Sequence, residues 1–163
     1  MTGAGRWREK PNIVPWPPVI YAAATVAGFA LGRLLPFDPG HWHGPLSQVA
    51  GVVAMATGFG FDIAAMATMR SARANILPNR PATALVSSGP FSISRNPIYL
   101  GNTLAVGGLA LVAGNFWFLP AALAAALAVR KLAIDREEQH LAARFGDAWL
   151  AYAAKTPRWF RFR

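Results

Sequence analysis

The sequence predicts an all-α integral-membrane fold with about four transmembrane helices, including a helical hairpin, and an amphipathic cytoplasmic helix at the C-terminus. Three observations point there. The 163 residues are 54% hydrophobic and only 14% charged, against about 25% charged in soluble domains. The apolar residues gather into runs that match a hydrocarbon core about 30 Å thick. When four spans are drawn through those runs, every Lys and Arg except Arg33 falls on one side. The length suits a single domain over residues 1–163.

Residues 1–16 read as a basic cytoplasmic arm containing Trp and Pro. They do not form a convincing signal peptide, because the apolar run that follows is long enough to span. Residues 17–69 hold two spans. The first, 17–36, starts beside Trp16 and Tyr21, which suit a membrane interface, and ends near Arg33, which can snorkel. "PFDPGHWHGP" then supplies turn formers. The second span, 46–69, contains Gly51, Gly58 and Gly60, which permit close helix contact, and Asp62. Residues 70–96 form a polar, mostly irregular cytoplasmic loop with Arg70, Arg73, Arg80 and Arg95.

Residues 97–133 form the hairpin. The 33 residues from 97 to 129 carry no charge, and as one helix they would reach about 50 Å. "AGN" at 113–115 reads as a tight turn, so the run divides into spans at 97–113 and 116–133. In the tail, 134–163, Leu141, Phe145, Trp149 and Tyr152 recur at helical spacing. Gly146 breaks that helix, with Asp147 as the next cap. Trp159, Phe160 and Phe162 among Arg158, Arg161 and Arg163 resemble a membrane-surface anchor.

The net charge of +9 comes from basic residues that flank apolar runs. That pattern suits anionic lipid head groups and argues against nucleic acid. The charge bias places both termini in the cytoplasm. There is no cysteine, hence no disulfide or thiol chemistry. His41 and His43, with Asp38 as their nearby carboxylate, do not amount to a metal site. No P-loop, dinucleotide fingerprint, HExxH or GxSxG is present.

Three places hold charge where apolar residues are expected. Asp62 lies within the second span, a functional position by default or one half of a structural pair. Arg70 and Asn102 are its candidate partners. Glu138 interrupts the stripe Ile134, Leu141, Phe145, and Glu137 borders it. The pair is either solvated, bridged to Lys131, Arg136 or Arg144, or met by a cation from elsewhere. Arg95 is the last charge before the hairpin: a topology signal on lipid phosphate, or a partner for an anion. Beside it, Asn96 reads as an N-cap, Pro97 as a first-turn residue and Tyr99 as an interfacial aromatic.

"GPFSISRNPIYLGN" followed by "REEQHLAARFGDAWLAYAAKTPRWF" resembles the isoprenylcysteine carboxyl methyltransferase and phospholipid methyltransferase superfamily, in its bacterial branch, over about residues 70–160. Its signature is a Gly-Pro-aromatic turn, Arg-His-Pro-x-Tyr-x-Gly, an apolar hairpin, a Glu-Glu pair, a Phe-Gly and a Tyr. Asn96 stands where eukaryotic members carry His, and Trp149 where a Tyr is expected; the Asn form is common in the bacterial branch. The resemblance implies an S-adenosylmethionine-dependent methyltransferase of the bacterial cytoplasmic membrane. Arg95 and Glu138 would be catalytic, and Asn96, Pro97, Tyr99, Gly101, Glu137, Glu138 and Tyr152 would bind the cofactor. No metal is implied. The acceptor would be a membrane lipid or another lipophilic molecule: an isoprenylcysteine-like carboxylate, a lipid amine or a small thiol. A non-catalytic scaffold of the same fold and a membrane reductase are the alternatives.

Overall fold

The computed structural model describes residues 16–38, 40, 44–76 and 80–160. Among these residues the chain is helical, with no strand. The basic arm, His41, His43 and the last three residues lie outside the described residues.

Helix α1, Trp16–Leu34, opens with Pro17 and Pro18 in its first turn, where a missing N–H leaves no helical hydrogen bond unmade. Helix α2, Pro45–Ser71, also has Pro at its start. Its entry is fixed by Ser47, whose hydroxyl accepts from the Gly44 N–H at 2.9 Å and donates to the Gly44 carbonyl at 2.8 Å. Both helices are long and apolar enough to cross a membrane. The described residues of 72–88 are irregular, as expected, and a short 3-10 turn, Gly89–Ser92, follows. Helix α3, Pro97–Ala113, begins and ends where the sequence places the third span. Gly114 terminates it with φ +60°, a left-handed conformation open to glycine. Asn115 then locks the turn. Its amide donates to the Gly28 carbonyl at 2.9 Å, and its oxygen accepts from the Trp117 N–H at 3.1 Å.

Helix α4, Phe118–Val129, is shorter than the expected span and passes through a π-helical turn, Arg130–Ile134, into α5, Asp135–Phe145. The break at Gly146 occurs as expected, with φ +50°. Asp147 is the first residue of α6, Asp147–Lys155, and not its cap; Gly146 takes the cap position.

Helix α2 lies along α3, α4 returns against α3 and α1, and α1 also touches α3. The α2–α3 seam is made of glycines. A Cβ on Gly108 would sit 2.7 Å from the Gly51 carbonyl oxygen, and one on Gly101 would sit 2.5 Å from that of Gly58. Backbones this close gain contact that any side chain would prevent. Gly60 takes no part, because it faces open space. Tyr21, Val106, Phe118, Ala122, Val129 and Ile134 are prominent in the core. Val26, Phe29, Val52, Ile63, Leu123 and Leu127 point outward and are exposed. That outer apolar surface suits a lipid solvent and would be a liability in water.

Candidate active site

The mouth of α3 is built from two chain segments that lie side by side. Pro97 is buried at the first turn, and the three residues before it run along residues 157–158. The Arg95 N–H donates to the Pro157 carbonyl at 2.9 Å. The Ser94 hydroxyl and the Asn96 amide both donate to the Arg158 carbonyl, at 3.2 and 2.9 Å. One turn back, the Tyr152 hydroxyl donates to the Phe91 carbonyl at 2.7 Å. These bonds strap the C-terminal segment across the start of the hairpin. Asn96 occupies the N-cap position without capping the helix; its amide belongs to the strap.

The strap carries a cation into the site. Arg158 grips Glu138 with two prongs: Nε donates to Oε1 at 3.1 Å, and Nη2 pairs with Oε2. Its Nη1 reaches Asp135 Oδ1 at 3.1 Å. Arg95 Nη2 meets Glu138 Oε1 from the other side at 3.2 Å. The Arg95 and Glu138 side chains are only 15% and 16% exposed, so neither charge could stay there alone. The Arg95 guanidinium also lies 5.5 Å from the centre of the Trp149 ring, within reach of a cation–π contact. Its Nε is buried with no hydrogen-bond partner.

Glu137 faces a different neighbour. The Tyr99 hydroxyl donates to its Oε1 at 2.8 Å. The Tyr99 carbonyl accepts from Tyr21 at 2.9 Å, and the Tyr21 hydroxyl pairs with that of Thr103 at 2.7 Å. Burial pushes the Glu137 carboxyl up to about 7; the bond from Tyr99 opposes this, and the charge of Glu138 adds to it. Burial likewise raises the Tyr152 phenol to about 12, so it remains a donor at neutral pH.

Arg95, Asn96, Pro97, Tyr99, Glu137, Glu138 and Tyr152 all border a cavity of about 400 Å³. Residues of the 70–96 loop close its far side. There the Ala82 N–H donates to His140 Nε2 at 3.2 Å, and His140 is 1% exposed. Gly101 does not border the cavity. The space over its Cα is taken by Gly58 and Asp62, so its missing side chain serves helix packing and not the cofactor. Asp62 Oδ1 is buried without a hydrogen-bond partner; the Asn102 amide donates within its own helix, to Ile98, at 2.8 Å.

The sequence missed two residues here. By sequence Arg158 reads with the terminal aromatics as a surface anchor, whereas in the structure it is an ion-pair partner of Glu138 and Asp135; Trp159 beside it packs on the core. His140 lies three residues after Glu137, and that i, i+3 spacing is the signal that could have placed it on the site's face.

Residues 46–148 match the profile of the phospholipid methyltransferase family. The chain belongs to that family. Two curated relatives are similar to it. The nickel-cobalt-cadmium resistance protein NccN of Alcaligenes xylosoxydans xylosoxydans is 36% identical over 52% of this chain and 39% of its own length. The cobalt-zinc-cadmium resistance protein CzcN of Cupriavidus metallidurans is 30% identical over 83% of this chain and 60% of its own. The chain therefore spans less than two thirds of either relative. No solved structure matches it. The family is one of phospholipid methyltransferases, and the two long apolar helices fit association with a membrane.

Phospholipid methyltransferases generally draw on S-adenosylmethionine. The residues present fit that group. A cavity of about 400 Å³ is within the usual range for small-molecule sites, about 300–1,000 Å³. Arg95 on one part of its lining and the acidic pair Glu137 and Glu138 on another offer opposite charges to a zwitterionic amino-acid tail.

The raised Glu137 carboxyl has a consequence for stability. Because the folded state holds this proton more tightly than the unfolded chain, the contribution is present below about pH 4.5 and is lost as pH rises through about 7. Melting of the detergent-solubilised protein at pH 5 and pH 8 should show a larger fall for the parent than for Glu137→Gln. Equal falls would mean that the carboxyl titrates as an ordinary exposed group.

Proposed function

We propose that this chain is an S-adenosylmethionine-dependent methyltransferase of the bacterial cytoplasmic membrane. Its acceptor is lipophilic or amphipathic: an isoprenylcysteine-like carboxylate, a lipid amine or a small thiol. The observation that carries the reading is the meeting of Arg95, Glu137 and Glu138 on the lining of a mostly apolar cavity.

S-Adenosylmethionine supplies a methyl group on a sulfonium, ready for in-line displacement. Such a reaction needs positioning more than acid–base groups. Arg95 lines the cavity and brings a positive charge to it, held in place by Glu138 on one side and Trp149 on another. Glu137 is the carboxylate with capacity to spare, since both oxygens of Glu138 are engaged by arginines. Tyr99 orients it. Met66, Met69, Leu85 and Ile98 line the apolar part of the cavity, where they exclude water and suit a lipophilic acceptor.

Losing a charge-assisted contact costs about 1.5–3 kcal/mol, or roughly 10- to 150-fold in affinity. Calorimetry with S-adenosylmethionine should show losses of that size for Arg95→Ala and Glu137→Gln, with helical circular dichroism retained. Arg130→Ala, an exposed charge at the end of α4, should bind as the parent does. Parent-like affinity in both site variants would remove the proposed cofactor site.

In the membrane, α1, α2 and the two arms of the hairpin are proposed as four spans, with both termini and the mouth of α3 at the cytoplasmic face. There a water-soluble cofactor can meet an acceptor delivered from the bilayer. Reporter fusions at the C-terminus and in the 38–45 loop should report opposite sides of the membrane. A periplasmic C-terminus would contradict this topology.

A further inference from the structure

Part of the cavity wall is irregular chain. Ala82, Ala84, Leu85 and Val86 line it from the loop, and His140 and Leu141 line it from α5. No helix holds these loop residues in place. Side-chain bonds tie the loop to itself: the Asn75 N–H donates to the Thr83 hydroxyl at 3.0 Å, and that hydroxyl donates to the Arg73 carbonyl at 2.9 Å. Across to α5 runs a further bond, from the Ala82 N–H to His140 Nε2 at 3.2 Å. A backbone N–H can only donate, so Nε2 must present its lone pair and the ring proton sits on Nδ1. His140 is 1% exposed, so its ring is shielded from water. An apolar side chain there would fill the space and leave the Ala82 N–H without its acceptor, which is costly.

We infer that His140 is a positioning residue for the cavity: its Nε2 seats residues 81–86 against α5 and so fixes the wall on which a bound ligand packs. The inference rests on the proposed cofactor reading for what that ligand is. The helix that carries the seat also carries Glu137, three residues earlier, and residues three apart share a helix face. One rigid element therefore sets both the wall and the carboxylate. The buried ring acts through Ala82 and has no need to touch the ligand. Without the seat, a ligand would have to order residues 81–86 itself, and that ordering entropy is subtracted from its affinity.

Exchange and affinity together separate this role from simple packing, both measured on the detergent-solubilised full chain. His140→Phe fills the space without an acceptor; His140→Gln supplies a neutral oxygen acceptor. In the absence of ligand, amide exchange of residues 82–86 should quicken about 5- to 150-fold in His140→Phe, with the α2 and α3 amides as in the parent. His140→Gln should exchange as the parent does. Calorimetry should show S-adenosylmethionine binding weakened about fivefold or more in His140→Phe and parent-like in His140→Gln. Ala82→Pro removes the donor from the other side and leaves the buried ring in place. It should lower the affinity as His140→Phe does, and it decides the matter where His140→Phe does not survive extraction. Parent-like exchange of residues 82–86 in His140→Phe would overturn the seat. Faster exchange with parent-like affinity, or His140→Gln as impaired as His140→Phe, would overturn the positioning role while leaving the cofactor reading intact. A parent protein that binds no S-adenosylmethionine would overturn the cofactor reading and the positioning role with it.

Discussion

A carboxylate that cannot stand alone organises this protein's working end. Glu138 sits on a helix face whose other members are apolar, at the edge of a bundle with a lipid-suited outer surface. A charge in that position is tolerated only with cations in direct contact. Arg95 comes from the start of the hairpin and Arg158 from beyond its end, and both reach Glu138. The remaining features of the mouth follow from bringing those three residues together. The strap between residues 94–96 and 157–158, the seat of Trp149 under Arg95, and the return of the hairpin to the side where it began are all ways of meeting that demand.

The bundle below makes the meeting possible through small residues. Gly51 and Gly58 of α2 take the backbone of α3 at Gly108 and Gly101, which fixes where α3 lies and hence where Arg95 emerges. Gly114 and Asn115 turn the chain, and α4 runs back to a π-helical turn just before the acidic pair. Turns of this kind often accompany functional sites because they re-aim the residues that follow. Here Glu137 turns to Tyr99 and Glu138 to the arginines, so two adjacent carboxylates have different partners. One carboxylate is neutralised structurally, and the other keeps a raised proton affinity on the cavity wall.

Much of this was legible in the sequence, for identifiable reasons. The hairpin was visible because a charge-free run too long for one span contained Gly-Asn at its middle. The pairing of Arg95 with the acidic pair was foreseeable because an antiparallel hairpin returns its chain to its origin, and the stripe through Ile134 and Phe145 marked Glu138 as misplaced. What stayed hidden depended on the fold. Arg158 sits among terminal aromatics, so its composition suggested a lipid surface; only the crossing of the strap over the α3 mouth reveals its ion pairs. Gly101 belongs to a motif that implied cofactor contact, yet which neighbour fills the space above a glycine is set by helix rotation. Gly60 and Gly58 look alike in the sequence and differ for the same reason. A hydrogen-bond partner of the buried His140, Ala82, lies 58 residues away, beyond any local pattern.

The central claim is that Arg95 and Glu138 are energetically coupled across the hairpin, and a double-mutant cycle measures that directly. Equilibrium unfolding in detergent of the parent, Arg95→Ala, Glu138→Gln and the double variant yields the coupling free energy. Contacting charged groups in one network should give a coupling of at least about 0.5 kcal/mol, up to about 3 kcal/mol. Additivity within about 0.3 kcal/mol would mean that the two side chains do not act on one another, and would contradict the account.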